Sequence, residues 1–113
     1  MKELTVVSKS KSLVYKVYEL CKRLPKSEQY VLIPQITRSV ISVPSNLAEG
    51  QQRGDKEFKR FIRIARGSLF ELKVQLEICN KLFNINVDDE LLLIDEIGKM
   101  TNGLLKTLAD GSC

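Results

Sequence analysis

Between Asp55 and Phe83 runs an apolar stripe of Phe58, Phe61, Ile62, Ala65, Leu69, Leu72, Leu76, Cys79 and Phe83. Its spacing follows the 3.6-residue turn of an α-helix for about eight turns. No isolated helix can bury such a stripe, so the rest of the chain must supply partners for it. Three further segments do so. The first, about 9–24, repeats Leu13, Val14, Val17, Cys21 and Leu24 at helical spacing, with Lys16, Glu19 and Lys22 facing elsewhere. The second, about 28–49, presents Ile33, Ile36, Val40, Val43 and Leu47. The fourth, about 87–109, presents Leu91, Ile94, Ile97, Thr101, Leu104, Leu105 and Leu108.

The punctuation fits helices. Pro25 stops the first and Ser27 is placed to cap the second. Gly50 reads as the residue just past the second helix, with GQQRG as the loop, and Asp55 as the cap of the third (55–83). Asp88, Asp89 and Glu90 suit the first turn of the fourth, and Gly111 ends it. The run VLIPQITRSVISV is rich in β-branched residues and could be read as a strand. Pro34 in its middle and its imperfect alternation favour a helix. On that reading Pro34 and Pro44 are interior prolines, each removing a backbone donor and kinking the helix. Connections of about three to five residues make neighbours antiparallel. The expected fold is all-α: an antiparallel up-down-up-down four-helix bundle, helix two kinked by proline, forming a single domain over residues 1–113.

Composition narrows the chemistry. The 113 residues include no His, which excludes Ser-His-Asp and Cys-His catalytic units and His-bearing zinc sites. Cysteines at 21, 79 and 113 lack metal-type spacing and pairing number, so no metal site or disulfide framework is expected. Cys21 and Cys79 fall on apolar stripes and read as inert core residues. GQQRGDKEF lacks the spacing of a phosphate-cradling loop. No enzymatic activity, catalytic residue or cofactor is expected. With no apolar run long enough for a signal peptide or a membrane span, the expected setting is the cytoplasm, away from membranes.

The net charge of +4 conceals an asymmetry: residues 1–83 carry 16 basic and 8 acidic side chains, whereas 84–113 carry 2 and 6. On a wheel of about 100° per residue, Lys56, Lys59, Arg60, Arg63 and Arg66 share the face of helix three opposite its core stripe, with Arg53 in the preceding loop. Only Glu57 interrupts them, and no aromatic residue interleaves, so base stacking on this ridge is not expected. Such a ridge is either a solvated helix face or a phosphate-binding surface that displaces condensed counterions. Further along the same face stand Gly67, Phe70, Val74 and Ile78, a second apolar surface that one bundle cannot bury. Phe70, Val74 and Ile78 are the expected subunit contact, although scattered exposed apolar residues are common.

In ISVPSNLAEG, Asn46 and Glu49 follow Pro44. They read either as a binding site or as partners for backbone groups freed by Pro44, with Arg38 as counter-charge to Glu49. Gly67-Ser68, Gly98 and Gly103 lie within helices, where close helix approach would explain them.

Two segments carry a family resemblance: VYELCKRLPKSEQYVLIPQITRSVISVPSNLAEG and KEFKRFIRIARGSLFELKVQLEI, with IGKMTNGLLKTL a weaker third. Together they resemble the bacterial four-helix-bundle family of 23S rRNA intervening sequences. The accessory variability determinant of diversity-generating retroelements, a pentameric basic assembly that binds nucleic acid and a reverse transcriptase, looks like a member of that family. The motif maps here onto Arg38, Ser42, Pro44, Asn46, Glu49, Gly50, Phe58, Gly67, Ser68 and Glu71, read as fold and packing determinants. Two features depart from it: the N-terminal Trp is absent, and Pro34 replaces an ordinary helix former. The resemblance implies a non-enzymatic homo-oligomer, a pentamer on the relative's precedent, with RNA or DNA as partner. On this basis the basic ridge would contact phosphates. The alternative is a protein-interaction scaffold whose ridge docks an acidic partner.

Overall fold

The apolar stripes belong to four α-helices. A computed structural model describes residues 2–108. It contains α1 (Thr5–Cys21), α2 (Leu32–Gln51), α3 (Asp55–Phe83) and α4 (Asp88–Thr107), a 3-10 turn at Lys26–Glu28, and no strand among the described residues. The helices form a four-helix bundle of 50 × 23 × 22 Å. α1 packs on α2 and α4, and α3 packs on the same two helices. Across α2 and α3, Ser39 meets Glu71 and Ser42 meets Ser68, so residue numbers rise on one helix as they fall on the other. Those two helices are antiparallel.

Leu13, Val17 and Leu20 of α1, Ile36, Val40, Val43 and Leu47 of α2, Ile62, Leu72 and Leu76 of α3, and Ile97 of α4 are fully buried in one core. Each contributes about 1.5–3 kcal/mol of transfer free energy. Ile85 and Val87 seal the α3–α4 end.

Several local expectations are corrected. α1 begins at Thr5 rather than near residue 9, and it ends at Cys21, three residues before Leu24. The α1–α2 connection is longer than three to five residues, spanning 22–31, and Ser27 lies in its 3-10 turn instead of capping α2. Pro34 is the third residue of α2. First-turn N–H groups have no helical partner, so proline costs little there and the cost assigned to an interior proline does not arise. Pro44 is interior, and α2 continues through it. Gly50 lies inside α2 rather than beyond it, and Asp55 is the first residue of α3, with Gly54 at the cap position. α3 ends on Asn84 in the left-handed conformation (φ 55°), one of the few side chains that tolerate it. α4 starts at Asp88, whose N–H donates to the Asn86 side chain at 2.9 Å. The end of α4 at 109 and the stop at Gly111 lie outside the described residues.

Gly50 is the glycine that close approach explains. A Cβ there would lie 2.6 Å from the Phe61 Cβ and 3.0 Å from Phe58 Cδ1. Gly67 and Gly103, expected at close approaches, have no atom within 4 Å of a Cβ position, and Gly98 meets only Leu69 at 3.9 Å.

Candidate nucleic-acid interface

The outward face of α3 carries the basic ridge, and the structure divides its six cations into two groups. Arg53, just past α2, turns back on Glu49, donating from Nε at 3.0 Å and Nη2 at 2.8 Å, with Glu57 3.9 Å away. Arg60 donates to both oxygens of Glu57 at 3.2 and 3.3 Å. Both guanidinium groups lie over the Phe61 ring, 5.2 and 4.7 Å from its centre. An aromatic ring therefore does interleave with these cations, and they cover it. The hydrogen bonds and charge of Arg60, opposed by desolvation and aided by the charges of Arg53 and Lys56, hold the Glu57 carboxyl below its ordinary range. Two arginines and two glutamates thus form a cluster with no net charge, in which Glu49 is partnered by Arg53 and not by Arg38.

Arg66 leaves the ridge altogether. It is half-buried and crosses to α4, donating to the Gly98 carbonyl at 2.7 Å and to Thr101 Oγ1 at 2.8 Å. It is a cross-brace between helices. Lys56, Lys59 and Arg63 remain, without an ion pair among the described residues; Lys56 and Arg63 are exposed and Lys59 half-buried. The Glu49–Arg53, Glu57–Arg53 and Glu57–Arg60 pairs stand three or four residues apart, so helical spacing could have shown the neutralisation. No sequence signal marks the Arg66–Gly98 contact.

Phe70, Val74 and Ile78 lie on the same outward face, 67%, 41% and 41% exposed, joined by Leu82 at 65%. The face is therefore basic in its N-terminal half and apolar in its C-terminal half.

The motif residues of α2 serve packing. Asn46 Nδ2 donates to the Ser42 carbonyl at 2.8 Å and its hydroxyl at 2.9 Å; Ser42 and Ser68 share a 2.8 Å hydrogen bond. Ser39 donates to Glu71 at 2.8 Å. The carbonyl that Pro44 leaves without its helical donor is Val40's, so Asn46 does not fill the role expected of it. Asn46 and Glu49 do not share a site. Among the described residues no three metal-capable side chains converge, and no helix is long and apolar enough to cross a membrane.

The model of the 23S rRNA-intervening sequence protein family matches residues 2–104. A crystal structure from Bacteroides thetaiotaomicron, of a protein of unknown function in the S23 ribosomal protein family, superposes with a TM-score of 0.80 at 25% identity. That match covers 91% of this chain and 100% of the other. No curated protein matches. With nearly the whole chain spanned by the family model and the same bundle in a solved relative, the chain belongs to the 23S rRNA-intervening sequence protein family.

Proposed function

We propose that this protein is a non-enzymatic bundle that assembles with copies of itself through Phe70, Val74 and Ile78. The assembly binds the sugar-phosphate backbone of RNA or DNA through Lys56, Lys59 and Arg63. The observation that carries the reading is the continuity of the α3 face, where three unpaired cations lead directly into an exposed apolar strip. Three phosphate contacts give a log-affinity slope against log salt of only about −2 to −3, which is weak for one copy. Repetition of the ridge in an oligomer multiplies the contacts, so self-assembly and binding support one another. A closed ring of five, the relative's arrangement, would place one ridge per subunit around it.

The same shortage of unpaired cations favours a second reading, in which the ridge docks an acidic protein surface. Fluorescence anisotropy of a labelled structured RNA across a salt series, with nuclease-treated protein, separates the two. The expected result is a linear fall of log affinity with log salt, with the affinity reduced and the slope flattened in the Lys56→Glu/Lys59→Glu/Arg63→Glu variant. Unchanged affinity in that variant rules out the ridge as the nucleic-acid site, and no binding at low salt rules out the nucleic-acid reading and leaves the scaffold.

A further inference from the structure

All three tyrosines of the chain are exposed, and Tyr15 walls a groove between the C-terminal half of α1 and the start of α4. Lys16, Glu19, Lys22, Arg23 and Glu90 also line it. Glu90, the third residue of α4, is only 7% exposed, yet its carboxylate has no hydrogen bond or ion pair among the described residues. The Glu90 carboxylate keeps solvent contact in the groove, since the buried side-chain oxygen without a partner among the described residues is that of Gln75, and it stands at the positive end of α4. Lys22 does not satisfy it, because its ammonium is held by Glu19 at 3.0 Å. Lys16 and Arg23 are unpaired among the described residues. Lys16 lies on α1 and Arg23 in the turn just past its end.

We infer that this groove seats a guanine base of single-stranded nucleic acid. Glu90 can only accept, and guanine presents two adjacent donors, N1–H and N2–H, matching the two carboxylate oxygens. Adenine and cytosine set a ring acceptor beside their single donor, and uracil flanks its N3–H with two carbonyls, so each directs a lone pair at the carboxylate. Tyr15, 66% exposed as a residue, supplies the stacking surface. Lys16 and Arg23, on the rim of the same groove, supply two cations for the phosphates of the strand. The strand must be single because the edge being read is the one a duplex occupies. This goes beyond backbone binding on α3: it uses a different helix and reads a base.

The chain has no Trp, so tyrosine is its intrinsic fluorophore. The intact protein is titrated with a uridine-rich RNA octamer holding one central guanine, and with the same octamer carrying inosine or adenine there. The guanine strand quenches tyrosine emission saturably and binds about tenfold tighter than the adenine strand, with inosine between them. Tyr15→Leu removes the quenching and weakens the guanine strand about tenfold. Glu90→Gln, checked for unchanged helicity, binds guanine and adenine strands alike. The Lys56→Glu/Lys59→Glu/Arg63→Glu variant keeps the guanine preference, which separates this site from the ridge. Equal binding of guanine and adenine strands by the native protein, no binding, or quenching that survives Tyr15→Leu overturns the inference.

Discussion

Arg66 of α3 donates a 2.7 Å hydrogen bond to the main-chain carbonyl of Gly98 in the middle of α4, and Thr101 donates to the same carbonyl at 2.9 Å. A charged donor thus joins the two helices while Thr101, almost fully buried, orients it. Arg66→Met keeps the stem packing and removes the donor. Its unfolding free energy in urea is expected to fall by about 1–2 kcal/mol, the range for a partly screened charged hydrogen bond. RNA affinity should stay within about twofold, because Arg66 does not belong to the free ridge.

Two glycine-to-alanine substitutions should have opposite signs. At Gly50 the new methyl meets the Phe61 stem at 2.6 Å, so Gly50→Ala costs a net of about 1–2 kcal/mol after its gain in helix propensity. At Gly103 the space is open, and Gly103→Ala gains up to about 1 kcal/mol. Urea midpoints of the two variants against the native chain give the comparison.

Glu57 links stability to pH and binding to charge. Its carboxyl is held low chiefly by hydrogen bonds from Arg60. A lowered folded value stabilises above the ordinary carboxylate range, and that stabilisation is lost as pH falls through the lowered value. Glu57→Gln should therefore flatten the acid side of a plot of Tm against pH. It also frees Arg53 and Arg60 from a counter-charge, so polyanion affinity at low salt should rise severalfold and the salt slope should steepen.

Self-assembly should depend on the exposed apolar strip. Phe70→Glu combined with Ile78→Glu removes it without touching the core, since both side chains point outward. Light scattering should show the variant as a monomer, with circular dichroism unchanged. An assembly that persists in the variant would remove this surface from the proposal.

The two buried thiols should be silent. Burial raises Cys21 to about 11 and also raises Cys79. Little thiolate is then present at pH 8. In a Cys113→Ser background, a chromogenic disulfide reagent should react over hours with the native protein and within minutes after denaturation.

Much of the fold was legible because helical periodicity is a local property. Val17, Ile36, Leu72 and Ile97 each sit on a stripe readable from spacing alone, and each is fully buried. The errors arose where one residue type serves two purposes. Gly50 has the composition of a helix stop, but it sits inside α2, where Phe58 and Phe61 of α3 leave no room for a Cβ. Pro34 has the composition of a breaker, but it falls in a first turn, where its missing donor is not needed.

The basic ridge divides in the same way. The Arg53–Glu49 and Arg60–Glu57 pairs lie within helical spacing and follow from the order of residues. The loss of Arg66 to Gly98, the unpaired carboxylate of Glu90 in the groove that Tyr15 walls, and the open space around Gly67 do not. Sequence by itself determined the helices, their apolar faces and the local ion pairs, because these depend on neighbours a few residues away. Only the tertiary structure decided which cations stay free and which carboxylate is left without a donor. Those outcomes depend on the register at which α4 lies against α3 and α1, and that register joins residues more than thirty positions apart.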